Sequence, residues 1–220
     1  MTSSTEHPHL TSDAFRARAR ERLMREPARE AFDPDHLPIF GDHRLAENLA
    51  PADGRLHKPA AVLVPIIARE EGATMLLTER AAHLKDHAGQ IAFPGGKIAS
   101  ATETPAEAAL REAHEEIGLD ASLVESLGYL DPYLSSTGYR IIPLVAIVTP
   151  GFSLRLDPRE VESIFEVPLD FLMDPAHHEI HEREWRGAQR RYFAMPYEER
   201  YIWGVTAGII RSLYERLYAP

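Results

Sequence analysis

The sequence predicts a single α/β domain preceded by a helical N-terminal extension. Short apolar segments typical of buried strands recur along the chain, and segments with helical apolar spacing lie between and after them. A length of 220 residues suits one domain with an extension. We place the extension at residues 1–58 and the domain at residues 59–220.

The extension is predicted to contain a head, a helix and a loop. Residues 1–9 are polar and are expected to be disordered. Ser12 is a candidate N-cap for a helix that continues to about Glu26 and ends before the next proline. Three apolar residues share one face of this helix: Phe15, Ala19 and Leu23. Residues 34–56 are rich in Pro, Asp and His and are predicted to be a connecting loop.

The domain is predicted to alternate strands with two further helices. The predicted strands cover residues 61–67, 74–78, 90–93, 124–129, 139–148, part of 161–172 and 190–194. The predicted helices cover residues 105–117 and 201–218, and a glycine turn at residues 94–96 ends the third strand.

Composition and charge exclude several classes of function. The chain has no cysteine, so disulfides, thiolate metal sites and cysteine nucleophiles are absent. A net charge of −10 argues against a nucleic-acid partner, and no apolar segment is long enough to suggest a membrane span or a signal peptide. We therefore expect a cytoplasmic protein with a small-molecule substrate, for which a homodimer is one possible assembly.

The helix at residues 105–117 has clear start and stop signals. Thr104 is the expected N-cap, Pro105 occupies the first helical position, and Glu107 completes a capping box. Gly118 is placed for the left-handed residue that follows the last turn. The apolar residues at helical spacing are predicted to face a sheet: Ala106, Ala109, Leu110, Ala113 and Ile117.

The opposite face of this helix is predicted to carry three glutamates. At about 100° per residue, Glu112, Glu115 and Glu116 fall together, with Arg111 beside them. One interpretation is a solvated acidic face with Arg111 as its counter-ion. The interpretation that we favour is a site for Mg²⁺ or Mn²⁺, because the like charges have few cations near them and a glycine turn precedes the helix.

These residues resemble the signature of the Nudix hydrolases. The sequence runs Gly96, Glu103 and then Arg111-Glu112-Ala113-His114-Glu115-Glu116-Ile117-Gly118-Leu119, with one extra residue between Gly96 and Glu103. The resemblance implies the Nudix α/β/α sandwich with a mixed sheet, and hydrolysis of a diphosphate linkage with a divalent metal ion.

A second motif resembles the coenzyme A pyrophosphatase branch of that family. It begins Leu76-Leu77-Thr78-Glu79-Arg80 and ends Phe93-Pro94-Gly95-Gly96. This resemblance implies cleavage of CoA or acyl-CoA into 4′-phosphopantetheine (or its acyl form) and adenosine 3′,5′-bisphosphate. The predicted substrate-binding residues are Arg80, Lys85, His87, Gly95 and Gly96. Lys85 stands where the branch has Arg, so a point charge replaces a planar fork.

Each acidic residue receives a predicted role. Glu112 and Glu116 are the first choice as metal ligands, and Glu115 is either a third ligand or the general base. Arg111 is expected to pair with Glu115 or with Glu103 and so to hold the carboxylates in place. Glu160 resembles the distal acidic loop of the family and is a further catalytic candidate, with Glu162 as its competitor.

Other interpretations remain open from the sequence. A Nudix enzyme could prefer ADP-ribose, NADH or a dinucleoside polyphosphate, and a non-catalytic domain on the same scaffold ranks below these. His177, His178 and His181 suggest a zinc site, although a solvated loop is favoured. Tyr133 and Tyr139 either stack on a base or pack in the protein.

Overall fold

The computed structural model describes residues 10–33, 35–45, 57–185 and 188–219. The predicted disordered head and part of the predicted loop at residues 34–56 lie outside these residues. The α-helices are α1 (Ser12–Arg22), α2 (Pro105–Ile117), α3 (Leu169–Met173) and α4 (Val205–Leu217). The strands are β1 (Phe40–Gly41), β2 (Lys58–Ile67), β3 (Thr74–Arg80), β4 (Ile91–Ala92), β5 (Gly95–Lys97), β6 (Val124–Tyr129), β7 (Tyr133–Leu134), β8 (Tyr139–Val148), β9 (Val161–Pro168), β10 (Glu179–Trp185), β11 (Ala188–Tyr197) and β12 (Arg200–Trp203).

A mixed sheet of nine strands forms the centre of the fold. Its main path runs β1-β7-β8-β2-β3-β4, while β5 pairs with β2, β6 with β8 and β9 with β3. The long pairing of β2 with β8 is parallel, and those of β2 with β3 and with β5 are antiparallel. A separate antiparallel sheet contains β10, β11 and β12.

Helices cover both faces of the central sheet, as the sequence predicts. On one face, Ala109 and Ile117 of α2 pack with Leu63 and Leu76. On the other face, α1 and α4 share a second core. The small alanines allow α2 to lie close to the sheet, which brings its glutamates near the backbone of β5. The fold is therefore an α/β/α sandwich.

The N-terminal helix belongs to the core of the sandwich. Phe15 and Ala19 are fully buried and lie in the same core as Ile209 of α4. The helix differs from its prediction at both ends, because Thr11 is the N-cap and the helix ends at Arg22. Burial of its apolar face integrates α1 with the domain, while the division at residue 58 stays a prediction.

Three further predictions are wrong. The glycines at residues 95–96 form strand β5 rather than a turn, because their backbone pairs with β2. The single helix predicted at residues 201–218 is instead β12 followed by α4, and Gly204 breaks it with φ = 63°. Of the three histidines predicted to lie in a polar loop, His181 belongs to strand β10, while His177 and His178 precede that strand.

In the part of the chain that the structure describes, no helix is long and apolar enough to cross a bilayer.

Candidate active site

The ends of α2 are fixed by local hydrogen bonds. The hydroxyl of Thr104 accepts from the amide of Glu107 at 3.2 Å, and the Glu107 carboxylate accepts from the amide of Thr104 at 2.8 Å. Gly118 adopts the left-handed conformation with φ = 68°. The predicted capping box and glycine stop are confirmed, so the register of the glutamates along the helix is set locally.

The three glutamates of α2 do not share one exposed face, and this part of the prediction is wrong. Glu116 is buried, with 5% of its surface exposed, whereas the side chain of Glu115 is 58% exposed. The side chain of Glu112 lies between these extremes at 17%. Ala106 and Leu110, predicted to be buried, are only half-buried. The sheet therefore covers the side of α2 that contains Glu116.

Glu112 and Glu116 meet consecutive residues of β5. The amide of Gly95 donates to Oε2 of Glu116 at 3.1 Å. The next residue, Gly96, faces Glu112 so closely that a β-carbon there would overlap the carboxylate. Because the two glycines have no side chains, the carboxylates of Glu112 and Glu116 can lie side by side against the backbone of β5.

Arg111 organises the carboxylates from the solvent side. Its Nε donates to Glu103 Oε1 at 2.8 Å, and its Nη1 donates to Glu112 Oε1 at 2.9 Å. A longer contact of 3.4 Å joins Nη1 to Glu115, and Nη2 donates to the carbonyl of Lys97 at 3.1 Å. Both predicted partners, Glu103 and Glu115, are present, and the contacts with Glu112 and Lys97 are additional. The hydrogen bond from Arg111 lowers the pKa of Glu103.

Burial dominates the electrostatics of Glu116. The pKa of its carboxyl is raised to about 8, chiefly by loss of hydration; the charges of Glu112 and Glu160 add to this shift, while the Gly95 hydrogen bond and the charge of Arg80 oppose it. A carboxylate with two like charges nearby and little water is stabilised by a bound cation. The same interactions place Glu160 and Arg80 close to Glu116.

Arg80 and Glu160 are brought together by the end of β3. The amide of Arg80 donates to the carbonyl of Gln90 at 2.9 Å, and the next amide, that of Ala81, donates to the carbonyl of Glu160 at 2.9 Å. The side-chain Nε of Arg80 is buried and has no hydrogen-bond partner among the described residues. Of the two acidic candidates here, Glu160 interacts with Glu116, whereas Glu162 is an exposed residue of β9.

Lys85 and His87 follow Arg80 in the chain. Both are exposed in the loop between β3 and β4. His87 adopts φ = 60°, and its Nδ1 lies 2.8 Å from Oε1 of Gln90. The structure thus joins Arg80 to the carboxylate site and has the predicted substrate-binding residues Lys85 and His87 on the exposed loop that follows Arg80.

An open cleft of about 750 Å³ lies next to the site. Glu115 and Glu160 line it together with residues that the sequence analysis missed, among them His114, Arg155, Asp157 and Arg159. The loop that contains them is fixed to the end of α2, because the amides of Arg155 and Asp157 donate to the carbonyls of Ile117 and Glu116, each at 2.9 Å. These hydrogen bonds satisfy helix carbonyls that have no partner within α2. No local pattern in the sequence predicts this contact between the loop and the end of α2.

The acidic side chains of α2 differ in how well they fit a divalent metal ion. Among the described residues, no three His, Cys, Asp or Glu side chains converge as a metal cluster, so Glu112, Glu115 and Glu116 do not form a closed three-ligand cage. The pair Glu112 and Glu116 fits a hard cation, since Mg²⁺ is commonly held by one or two carboxylates, water and substrate phosphates. Which ion the pair binds remains a prediction.

The remaining predicted candidates are engaged elsewhere. His177 and His178 contact the backbone carbonyls of Phe171 and Leu172 at 2.9 and 2.8 Å, while His181 contacts Glu179 and the hydroxyl of Tyr201. Tyr133 is buried and donates to Asp42 at 2.8 Å. The three histidines therefore do not share a site, and Tyr133 packs inside the protein.

Comparison with known proteins gives consistent results. The family model described as "NUDIX domain" matches residues 57–190. Over 157 residues the chain is 42% identical to the "uncharacterized Nudix hydrolase NudL" of Escherichia coli strain K12, covering 71% of this chain and 81% of that protein. The match to NudL of Shigella boydii serotype 18 has the same identity and coverage.

Solved structures were compared as well. The Nudix hydrolase RenU from M. smegmatis has 26% identity and a TM-score of 0.45, covering 54% of this chain and 74% of that one. The NUDIX domain of Shewanella oneidensis NrtR, complexed with ADP ribose, has 17% identity and a TM-score of 0.47, covering 78% of this chain and 97% of that one.

Proposed function

The chain belongs to the Nudix family of hydrolases, and we propose that its substrate is coenzyme A or an acyl derivative. As a Nudix hydrolase it is a pyrophosphohydrolase of nucleoside diphosphate derivatives. The proposed reaction adds water across the diphosphate of CoA and releases 4′-phosphopantetheine, or its acyl form, and adenosine 3′,5′-bisphosphate.

The observation that carries the hydrolytic part is the pairing of Glu112 and Glu116 against Gly96 and Gly95. These two carboxylates are the proposed ligands for Mg²⁺ or Mn²⁺. When bound, such an ion neutralises diphosphate charge and lowers the pKa of water. Arg111 holds Glu112 through a 2.9 Å hydrogen bond, so the arginine keeps this ligand oriented.

Two carboxylates on the cleft are candidates for receiving the proton of the attacking water. Glu115 is exposed at its edge, and Glu160 lies on the facing loop and interacts with Glu116. As the water oxygen bonds to phosphorus, one of these carboxylates accepts its proton and the bond to the leaving phosphate breaks. Glu115 keeps its alternative role as a metal ligand, because either role needs an accessible carboxylate at this edge.

Substrate choice is proposed to depend on Arg80, Lys85 and His87. Arg80 is adjacent to the carboxylate site, with its Nε buried and without a hydrogen-bond partner among the described residues. The Lys85 ammonium extends cationic character along the exposed loop that follows, and the His87 imidazole lies two residues further on. The 3′-phosphate distinguishes CoA from dephospho-CoA, NADH and ADP-ribose, and a charge-assisted contact to it adds about 1.5–3 kcal/mol.

The test is a comparison of four substrates with saturating Mg²⁺ or Mn²⁺. The specificity constants for CoA, dephospho-CoA, NADH and ADP-ribose are measured by chromatographic separation of the adenine nucleotide product from the substrate. We expect CoA to exceed dephospho-CoA by about tenfold to hundredfold. Equal values for these two would remove the phosphate-recognition proposal, and a preference for NADH or ADP-ribose would assign the enzyme to another substrate class.

A further inference from the structure

A polar contact joins the end of β3 to the small second sheet. Nη1 of Arg200, the first residue of β12, donates to Oε2 of Glu79, which also accepts from the hydroxyl of Ser163 at 2.9 Å. The Arg200 guanidinium lies 3.3 Å from the Ser163 hydroxyl and 4.5 Å from the centroid of the Phe165 ring. Side chains from β3, β9 and β12 therefore meet at one half-buried carboxylate.

The contact lies at the irregular end of β3, next to Arg80. Glu79 immediately precedes Arg80, and the pairing of β3 with β9 shifts register between these two residues, from Glu79 opposite Ser163 to Arg80 opposite Val161. Successive strand side chains point to opposite faces of a sheet. Leu77 accordingly lies in the core of α1 and α4, and Leu76 in the core of α2.

Glu79 follows Leu77 to the face that β12 covers, while Arg80 reaches the face that contains Glu116. The Nε of Arg80 has no hydrogen-bond partner among the described residues. Its position depends on the backbone of the strand end, where its amide bonds to Gln90 and its carbonyl accepts from Gly89. An ion pair that holds the neighbouring residue, Glu79, therefore affects the position of Arg80 directly.

We propose that Arg200, through Glu79, is a positioning residue for substrate recognition. The Arg200–Glu79 pair fixes the irregular end of β3 from the opposite face of the sheet. It thereby determines the position of the Arg80 side chain in the site and of the first residues of the loop that contains Lys85 and His87. Arg200 itself contacts neither Glu112 nor Glu116 and does not line the cleft. This inference rests on the proposed function, in which Arg80 and its loop bind the substrate.

The experiment compares Arg200→Met with Arg69→Met. The second variant is a matched control, since Arg69 also pairs with a glutamate of the β3–β9 strand pair, Glu166 of β9, and also lies over an aromatic ring, that of Phe152, at 5.4 Å. Its partner Glu166 lies opposite Leu76, away from Arg80. Both variants should lose a similar part of their thermal stability, because each breaks one half-exposed ion pair.

Only the Arg200 variant should change recognition. We expect its KM for CoA to rise about three- to tenfold with kcat within about twofold of wild type, and Arg69→Met to keep its wild-type KM. Arg200→Lys should recover part of the loss by keeping the charge. Glu79→Gln, which retains a side chain that accepts from Ser163, should raise KM like Arg200→Met.

The outcomes separate this inference from the proposed function. If wild type prefers another diphosphate substrate, the proposed function fails, and the KM comparison is made with that substrate. If Arg200→Met and Glu79→Gln both show the KM of Arg69→Met, the positioning role is wrong whichever substrate is preferred. A KM increase in the Arg69 variant equal to that of the Arg200 variant would also overturn it.

Discussion

The carboxylate of Glu112 occupies the space that a side chain at Gly96 would need. Because the overlapping atoms are the far end of a flexible side chain, Gly96→Ala should move Glu112 and leave the fold intact. We expect metal-dependent activity to fall about 10- to 100-fold with little change in unfolding temperature.

Gly95→Ala is the matched control for this change. A β-carbon at Gly95 would lie 2.5 Å from the carbonyl oxygen of Ala61. The backbone of Gly95 also has a φ of 156°, which residues other than glycine rarely adopt. This variant should therefore lose stability by disturbing the pairing of β5 with β2. Wild-type turnover in Gly96→Ala would show that Glu112 does not need this position.

Metal binding should stabilise the protein through Glu112 and Glu116. A ligand that binds only the folded state raises the free energy of unfolding. We expect Mg²⁺ or Mn²⁺ to raise the unfolding temperature of wild type but not of Glu112→Gln or Glu116→Gln, and both variants to lose activity by more than about 100-fold. Glu162→Gln, an exposed control, should behave as wild type. Near-normal turnover in both site variants would contradict the assignment.

The buried carboxyl of Glu116 predicts a pH dependence for the metal-free protein. Burial raises its pKa to about 8, whereas the ordinary value in an unfolded chain is about 4.3. Between these values the folded state holds one proton more than the unfolded state. Its free energy of unfolding should therefore fall as the pH rises, and this contribution should level off above about pH 8.

The measurement is the difference in unfolding temperature between wild type and Glu116→Gln in EDTA, from about pH 5 to about pH 9. Buried histidines such as His178, whose pKa is lowered by burial, titrate in both proteins and cancel in the difference. A difference that does not change with pH would mean that Glu116 is ionised throughout.

Glu160 and Glu162 offer a test of the distal acidic residue. Glu160 lines the cleft and interacts with Glu116, while Glu162 is an exposed residue of β9. We expect Glu160→Gln to lower kcat by about tenfold or more, within the range of general-base effects, and Glu162→Gln to leave it unchanged. A larger loss in the Glu162 variant would reverse the assignment.

Lys85 should contribute to the selection of CoA over dephospho-CoA. Its ammonium is exposed on the recognition loop, and a single point charge gives a weaker phosphate contact than a guanidinium fork. Lys85→Ala should reduce the ratio of the two specificity constants, and Lys85→Arg should increase it. Lys58→Ala, which removes an exposed lysine at the start of β2, is the control. An unchanged ratio in both Lys85 variants would exclude Lys85 from recognition.

Elements that depend on interactions between residues close in sequence were predicted well, and those that depend on distant residues were not. The capping box of α2 joins residues three apart and was predicted to the residue, and the strands β6 and β8 have their predicted bounds. Of the second sheet, only residues 190–194 of β11 are predicted, because β10 and the rest of β11 are polar on one side and their stability comes from pairing with each other. The split at Gly204 was missed because β12 and α4 have continuous apolar character.

The sequence by itself determined α2, its caps and the identity of its glutamates, because these depend on residues within a few positions of one another. Tertiary structure alone decided that Glu116 is buried and Glu115 exposed, since helical periodicity gives directions around an axis and not the side that a sheet covers. It also brought Arg155 and Asp157 to the end of α2, and Arg200 to Glu79 across 121 positions of sequence. Such contacts depend on how whole elements pack, and no local pattern encodes them.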